Sequence, residues 1–490
     1  MSNGRGGGEG MRGGSVTNSC APTTFVIDSL IKTAREGACI MEYELRVIVE
    51  KVAVSSQEVV QRETITTYEI TAPASILDLG LRHAEQIALL EKMQQVLLEE
   101  QAVLIDSGYE RCPNCGQKIK KNGYTHSQFH AVFSDHQVRL QKHRCSHPDC
   151  RWHSFPTISS VFGTNIHPDL AKLQCEQGAL HSYRAAQWNL EKVNGHPRGV
   201  NNHTQVKRMT NKVGAHLAEE NRRLPSAEEC AAPAQDVIIQ VDGGHIPIQE
   251  QDKRSFEALS AIVYRPESVQ DVDQYHRKIM AKTCVVSALD DDLQTMKTYL
   301  LHAALKQGMS KDSKVTALAD GANNCWSVLS VVAPHCQTLE CILDWFHIGK
   351  KFQNVKTALG EAFEKSLESA KWKLWHGKAR DALTKLAFLR DNITDEEKRS
   401  KITGLHDYIE RNQSYIVNYD ERDNTHEPYT SQVAESHVDT LINARHKKTR
   451  KMQWTRAGAH YVLQIRAMIA SEEWESKWQN VVLSTLRAAG

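Results

Sequence analysis

Three short apolar segments that each end in an aspartate constrain the fold of this chain more than any other feature. They are Val237–Val241 before Asp242, Val315–Ala319 before Asp320, and Leu339–Leu343 before Asp344. Short apolar runs that stop at a turn signal are typical of buried strands. An aspartate at the end of such a strand leaves the sheet with its carboxylate at the edge of the core. The pattern therefore predicts a sheet with several carboxylates along one edge.

Asp242 and Asp320, each followed by glycine, could join a glutamate on a later helix in a two-metal phosphoryl-transfer centre. Hard divalent cations prefer oxygen ligands, and Mg²⁺ is usually held by a few carboxylates beside waters and substrate phosphates. We favour Glu435 as the glutamate because its predicted helix leads straight into a basic segment, and Glu421 and Glu427 compete with it. Aspartate before glycine is also common turn chemistry, so neither aspartate alone establishes a site.

The order of these residues resembles the DDE transposases of bacterial insertion sequences, in the Kra-type group that shares the D-x-x-H signature of Mutator-type transposases. The similarity rests on five phrases in sequence order between residues 105 and 470, namely VDGGHIP, KRSFEALSAIVYRPE, LADGANNCW, LDWFHIGKKF and VAESHVDTLINARHKK. It implies that Asp242, Asp320 and Glu435 hold two Mg²⁺ or Mn²⁺ ions per active site. It also implies binding of terminal inverted repeats, followed by DNA strand cleavage and strand transfer.

The D-x-x-H signature falls on Asp344 and His347, for which two interpretations stay open. In one, Asp344 caps a helix whose first turn holds His347. In the other, which the resemblance favours, both side chains lie beside the metal site and position the scissile phosphate or support its carboxylates. His245, three residues after Asp242, could join them.

Four cysteines in two short loops predict one structural zinc ion. They are Cys112, Cys115, Cys145 and Cys150. Two such loops about thirty residues apart, separated by an alternating segment, are typical of a zinc ribbon. His147 and His153 are weaker candidate ligands. The chain has 12 cysteines and no apolar signal segment, which favours thiols and metal ligation in a reducing compartment over disulfides.

Two segments concentrate positive charge although the net charge is only +1. Residues 111–151 carry 8 basic and 2 acidic residues, and residues 437–456 carry 6 and 1. Such blocks can release counterions from a phosphate backbone, although a solvated charged face is the simpler alternative. The side chains expected to contact double-stranded DNA, at transposon ends and target, are Lys207, Arg208, Lys212, Arg445, Lys447, Lys448, Arg450, Lys451 and Trp454. Trp454 is equally compatible with a place in the core.

The expected fold class is α/β. From residue 237 the predicted succession is three strands, helix, strand, helix, strand, which is the order of a ribonuclease H-like catalytic core. Residues 348–428 lack proline until Pro428 and predict an all-helical insertion. Upstream of the core we expect a zinc ribbon and a three-helix, helix-turn-helix-like module that carries Lys207, Arg208 and Lys212, a pattern that any three-helix bundle shares.

Seven segments are expected along the chain. They are a disordered Gly-rich tail (1–25), a strand pair with an amphipathic helix (26–105), the zinc ribbon (106–160), the helix-turn-helix-like module (165–222), the first part of the core (235–347), the helical insertion (348–428), and the C-terminal core part with the glutamate helix and basic block (429–490). The amphipathic helix could dimerise as a short coiled coil or pack on the zinc module. The first 75 residues show no family similarity.

The leading function is that of a DDE transposase acting as a homo-oligomer, at least a dimer, on DNA. A domesticated DNA-binding protein that no longer cuts, and a housekeeping ribonuclease H-like nuclease, are the alternatives. No run of eighteen apolar residues exists, so a membrane span is not expected. A cytoplasmic, nucleoid-associated bacterial protein is the expectation.

Overall fold

The structure is a computed structural model that describes residues 25–28, 43–105, 109–250, 253–273, 277–431, 438–447 and 452–478. The predicted Gly-rich tail, apart from residue 25, lies outside these ranges. The chain divides into two compact units. The first comprises Met1–Gln128 with Phe133–Thr157, and the second comprises Phe129–Val132 with Ile158–Gly490.

An antiparallel sheet and one long helix open the first unit. The sheet has the order β1-β2-β3, and its strands are β1 (Phe25–Asp28), β2 (Tyr43–Val52) and β3 (Val59–Ile70). The predicted strand pair is therefore present as β2 and β3. Helix α1 spans His83–Leu104, inside the predicted amphipathic segment.

A hairpin of β4 (Ile119–His130) and β5 (Asp135–Cys145) follows and carries the cysteine loops near its open end. Helix α1 packs against β5, and Gln95 Oε1 lies 2.9 Å from His136 Nδ1. Of the two predicted arrangements for this helix, packing against the cysteine-bearing hairpin is the one observed within the described chain.

The second unit begins with four helices, which are α2 (Ile158–Phe162), α3 (Pro168–Leu180), α4 (Tyr183–Asn194) and α5 (His203–Glu220). Local sequence explains their starts: Ser182 and Asn202 accept backbone N–H bonds as N-caps of α4 and α5. Helix α4 stops at Gly195, whose φ of 73° suits glycine. The connection from Gly195 to Asn202 is longer than the three- or four-residue turn of a helix-turn-helix.

A five-stranded mixed sheet forms the centre of the second unit, in the order β10-β7-β6-β11-β12. Its strands are β6 (Asp236–Pro247), β7 (Ser255–Tyr264), β10 (Lys282–Ser287), β11 (Lys314–Ala319) and β12 (Thr338–Leu343), and the short strands β8 (Val269–Asp271) and β9 (Arg277–Ile279) pair separately. β6, β7 and β10 pair antiparallel, whereas β11 pairs parallel with β6 and β12 parallel with β11. The predicted α/β class is confirmed.

Helices cover both faces of this sheet. One face buries Val237, Ile239 and Val241 against α6 (Gln294–Lys306) and α7 (Asn323–Leu329). The other face packs on a helical segment, Asp439–His446, and on the C-terminal helix, Arg456–Ala470. Helix α5 crosses the C-terminal helix so closely that a Cβ on Gly214 would lie 2.2 Å from the Tyr461 carbonyl oxygen. The predicted three-helix module, α3 to α5, therefore belongs to the same compact unit as the sheet.

The prediction that Asp242 ends its strand is wrong. Strand β6 continues through Asp242 to Pro247 and stays paired with β7 along its whole extension. Two glycines permit this, because a Cβ on Gly243 would lie 2.7 Å from Glu257 Oε1 and one on Gly244 would lie 3.0 Å from Ile442. What does end at Asp242 is the parallel pairing with β11, whose last residue pairs with Val241.

An all-helical segment follows β12, as the sequence predicts. Its helices are α8 (Trp345–Leu359), α9 (Glu364–Trp375), α10 (Ala379–Asp391), α11 (Glu396–Arg411) and α12 (Tyr419–Asn424). They share a core with Ile342 and Leu343 of β12. None of the described helices is both long and apolar enough to span a membrane.

Candidate active site

The parallel pairing of β6 and β11 brings Asp242 and Asp320 side by side. Val241 and Ala319 are register partners, and each aspartate follows its partner directly. Because neighbouring parallel strands run in the same direction, residues at matching positions meet at one edge of the sheet. Both carboxylates line one open cavity of about 590 Å³. The sequence prediction of a shared acidic edge is thus realised for this pair.

Charged side chains of both signs line this cavity. The acidic ones belong to Asp242, Glu257, Asp320, Asp344 and Asp439, and the lysines are Lys350, Lys351 and Lys447. All three lysines are exposed. Clustered carboxylates repel one another unless a cation or a proton is present, and lysines at the surrounding surface can attract anionic groups. The cavity can therefore take divalent cations together with a phosphate-bearing substrate.

Asp320 is held in a tight turn after β11. Its Oδ1 accepts a 2.9 Å hydrogen bond from the Ala322 N–H, and its carbonyl oxygen accepts one of 2.8 Å from the Tyr408 hydroxyl. Gly321 has φ of 92°, and a Cβ there would lie 2.9 Å from both Leu343 and Tyr408. Glycine is thus needed after the aspartate for conformation and for space.

Asp344 is a buried hydrogen-bond acceptor that also faces the cavity. It is 1% exposed and caps α8 by accepting from the Phe346 N–H at 3.1 Å. It also accepts from His347 Nδ1–H at 2.9 Å and from the Ser431 N–H at 2.9 Å. The helix-cap interpretation of the D-x-x-H signature is confirmed, and Asp344 and His347 also line the same cavity as Asp242 and Asp320, while their role beside a metal stays a prediction.

Two opposing effects act on His347. Desolvation lowers the pKa of its imidazole, but the hydrogen bond and charge of Asp344 outweigh it, with Asp242 and Asp320 adding to the rise. The net result is a pKa above the usual histidine value. Acidic surroundings therefore favour a protonated, cationic imidazole at the wall of the cavity.

Glu257 is a cavity residue that the sequence interpretation missed. It lies on β7 opposite His245, and its Oε2 accepts a 2.5 Å hydrogen bond from Asn324 Nδ2 at the start of α7. Desolvation raises the pKa of Glu257, and the negative charges of Asp320 and Asp242 act in the same direction. The available signal was that it is the one charged residue in β7, a strand paired with that of Asp242.

A second missed residue is Asp439, which opens a π-helical segment, Asp439–Asn443. Asp439, Asn443 and Lys447 are spaced by four residues and all line the cavity. π-Helical turns are rare and are frequent at functional sites.

Glu435, Lys448, Arg450 and Lys451 lie outside the described residues. The competitors Glu421 and Glu427 are engaged elsewhere, Glu421 with Asn418 and Glu427 at 3.5 Å from Arg422. Within the described residues, neither of the two groups that bring three or more acidic, histidine or cysteine ligand atoms within 4.8 Å of one another contains Asp242 or Asp320. Among the described residues, Asp242 and Asp320 therefore form a neighbouring carboxylate pair without a third converging ligand.

The four predicted cysteines do converge. Their Sγ atoms all lie within 4.8 Å of one another, with 3.7 Å between Cys112 and Cys150 and 3.4 Å between Cys115 and Cys145. Tetrahedral zinc thiolates at a Zn–S distance of 2.3 Å imply S–S separations of roughly 3.8 Å, so the cluster could bind a metal such as zinc. Desolvation alone would raise the pKa of Cys112, but hydrogen bonds from the N–H groups of Asn114 and Cys115 and from the thiols of Cys115 and Cys145 together lower it to about 7.

The weaker ligand candidates are excluded from that cluster. His147 Nδ1 accepts from the Asp149 N–H, and His153 Nδ1 lies 3.3 Å from Asn122 Nδ2. Neither imidazole belongs to the group of converging ligand atoms.

Two residues expected to contact DNA are buried. Arg445 is 0% exposed, lies over the rings of Tyr183 and Trp454, and donates to the Gly178 carbonyl at 3.2 Å. Trp454 is 5% exposed, and its backbone joins Pro247 and Gln249. The DNA-contact prediction for these two residues is wrong because both complete the core, where desolvation lowers the pKa of Arg445 to about 10.

The remaining basic candidates are placed differently. Lys207, Arg208 and Lys212 are exposed on α5, and Lys447 is exposed beside the cavity.

The chain matches no protein-family model and no curated protein sequence.

Proposed function

We propose that this chain is a DDE transposase that cleaves and joins DNA strands by metal-dependent phosphoryl transfer. The observation that carries the proposal is the adjacency of Asp242 and Asp320 on parallel strands, in a cavity that also exposes three lysines. Polar side chains from β6, β7, α8, the π-helical segment and the turn after β11 line that space. A turn or a solvated face would not require this convergence.

The strand order supports the same proposal. Three antiparallel strands followed by two parallel ones, in the order third, second, first, fourth, fifth, is the arrangement expected of a ribonuclease H-like core. In such a core the first and fourth strands are neighbours, which is where Asp242 and Asp320 lie. Function still has to be argued from the site, since one fold can host many activities.

Asp242 and Asp320, with Glu435, would hold two Mg²⁺ or Mn²⁺ ions. When bound, such ions activate a water and stabilise the leaving 3′ oxygen. Glu435 stands four positions before Asp439 in the sequence, continuing the spacing of Asp439, Asn443 and Lys447. Glu257, with its carboxylate near Asp242 and Asp320, is an alternative third ligand.

The other cavity residues have separate roles. Lys350, Lys351 and Lys447 would bind the phosphates that flank the scissile bond. Asp344 holds His347 through its Nδ1–H, which leaves Nε2 as the imidazole atom able to donate to a phosphate oxygen. The cleaved strand's 3′-OH would then attack target DNA at the same carboxylates. In the first unit, the four cysteines would hold a structural zinc ion.

Strand cleavage of DNA carrying the ends of the chain's own mobile element tests the proposal. Asp242→Asn and Asp320→Asn should each abolish cleavage in Mg²⁺ while binding of the ends persists, because each change removes a cation ligand without removing a phosphate contact. Asp381→Asn, at an exposed position of α10, is the matched control.

Cleavage that survives either cavity substitution would remove that residue from the site. A protein that binds its ends but never cuts them, in any divalent cation, would instead be the domesticated DNA-binding protein.

A further inference from the structure

We propose that the outer face of α4 and the adjoining start of α5 form a docking surface for DNA with unpaired bases, centred on Trp188. The inference rests on the proposed function only in taking DNA as the partner. It involves a surface separate from the carboxylate cavity, and none of its residues lines that cavity.

An exposed tryptophan between two cations marks the surface. Trp188 is 56% exposed, and Lys192 Nζ lies 3.6 Å from its ring centroid. Arg184, one turn earlier, is also exposed. Residues four apart lie on the same side of a helix, so the three form one stripe. Meanwhile Ala186 and Leu190 pack against Val206 of α5, which fixes the stripe on the outside.

The stripe continues onto α5. The Gln187 carboxamide oxygen of α4 accepts a 2.9 Å hydrogen bond from the His203 N–H at the start of α5. One turn beyond His203 the chain exposes Lys207 and Arg208. The two helices therefore present their basic side chains on neighbouring surfaces.

The charge of this segment is one-sided in a nearly neutral chain. Residues 181–218 contain 6 basic residues and a single acidic one, Glu191. Arg198 is buried, which leaves five exposed cations. Glu191 accepts a 2.7 Å hydrogen bond from Gln187 Nε2 and is half-buried. The local field is therefore positive, as a phosphate backbone requires.

The tryptophan decides which polyanion fits. A surface that is simply solvated does not explain a large exposed aromatic ring. A surface that contacts only phosphates does not explain one either. Unpaired bases offer flat faces on which an aromatic side chain stacks, while flanking lysines and arginines bind the phosphates. An acidic protein surface offers charge without those faces.

Binding of a fluorescent 20-nucleotide oligothymidine to the zinc-loaded full-length chain, in buffer without Mg²⁺, Mn²⁺ or chelator, tests the inference without requiring cleavage. Trp188→Ala should weaken binding by on the order of tenfold, and Trp188→Phe should keep most of the affinity. Trp372→Ala is the matched control, because Trp372 is 57% exposed on α9. Arg184→Gln with Lys192→Gln should reduce the slope of log affinity against log salt by about 1.4.

Competition with poly-L-glutamate separates a DNA surface from an acidic-protein surface. If Trp188→Ala weakens oligothymidine and polyglutamate binding equally, the ring does not stack on bases and the inference is overturned. Equal losses in Trp188→Ala and Trp372→Ala, or no loss in Trp188→Ala, overturn it as well. If the unaltered chain binds DNA and Trp188→Ala has no effect, only this inference fails. If it binds no DNA at all, the proposed function fails too.

Discussion

At the scale of single residues, Asp344 joins two distant parts of the chain. Its buried carboxylate accepts from Phe346, His347 and Ser431, and Ser431 lies 87 positions further along the sequence. Ser431 Oγ adds a further hydrogen bond. A carboxylate with this many donors stabilises the fold, whereas Asp320 lies at the cavity with a more local set of contacts.

The two aspartates should therefore respond differently to removal. Asp344→Ala should lower the free energy of unfolding by about 2–4 kcal/mol, because several donors lose a charged acceptor in a buried place. Asp320→Ala should cost less than about 1 kcal/mol. Urea denaturation of both variants measures this, and similar losses would contradict the distinction between Asp344, which stabilises the fold, and Asp320, which we propose binds a cation.

Residue patterns predicted part of the cavity and missed part of it. Asp242 and Asp320 follow apolar runs, a local signal, and the sheet brings them together as expected. Glu257 gives only a weak local signal, since a single glutamate in an apolar strand also suits a solvent-exposed position. Its importance comes from the missing side chain at Gly243, which leaves room for its carboxylate, and that contact depends on strand register.

At the scale of elements, the basic segment after residue 444 separates into two roles. Arg445 points into the core toward the Gly178 carbonyl near the end of α3, while Lys447 is exposed at the cavity. Arg466, from the C-terminal helix, donates to the neighbouring Ala179 carbonyl at 2.9 Å. Two buried arginines thus satisfy carbonyls at the C-terminal end of α3, where cations also complement the helix dipole.

Substitution should separate these roles. Arg445→Ala should destabilise the fold by about 3 kcal/mol, because it removes a buried hydrogen-bonding and ring-packing group. Lys447→Ala should leave stability within about 0.5 kcal/mol and reduce the salt slope of duplex DNA binding by about 0.9. Thermal unfolding and a salt titration provide the two readouts. An unchanged slope for Lys447→Ala would place the DNA elsewhere.

The spacing of the cysteines in the sequence predicted all four members of the cysteine cluster. We expect about one zinc per chain by metal analysis of the purified protein, and Cys112→Ser should lose it. Cys336→Ser is the control, since Cys336 is half-buried and lies outside the cluster. A full zinc content in Cys112→Ser would rule out the assignment of Cys112 as a ligand.

At the scale of the whole molecule, the order of strands and helices could be predicted because each element has its own local signal. The packing of α3 and α5 against the C-terminal helix could not, since it joins segments more than about 240 residues apart. Arg445 is buried against the Gly178 carbonyl of α3 and the Tyr183 ring of α4, whereas Trp454 is buried against the sheet. A sequence shows which residues are basic, but only the tertiary contacts show whether their side chains are exposed to solvent.

The same buried interface should make the protein sensitive to acid. Desolvation lowers the pKa of His446 to about 3 and that of His460 to about 4. Because the unfolded chain binds these protons near pH 6.5 and the folded chain does not, stability should fall as the pH drops below about 6.5. Each histidine should cost about 2 kcal/mol at pH 5.

Denaturation at pH 7 and pH 5 measures that loss. His460→Gln should remove its share of the difference between the two pH values, while His196→Gln, at an exposed position, should leave the difference unchanged. If the free energy of unfolding changed equally with pH in the unaltered protein, His460→Gln and His196→Gln, the imidazole of His460 would not control acid stability.

Metal rescue of Asp242→Cys tests the central claim, that Asp242 binds a divalent cation used in DNA strand cleavage. Mg²⁺ requires oxygen ligands, whereas Mn²⁺ accepts sulfur more readily. We expect the cysteine variant to cleave DNA in Mn²⁺ but not in Mg²⁺, and Asp242→Asn to cleave in neither. Cleavage by Asp242→Asn in Mg²⁺ at the rate of the unaltered protein, or equal cleavage in EDTA, would contradict it.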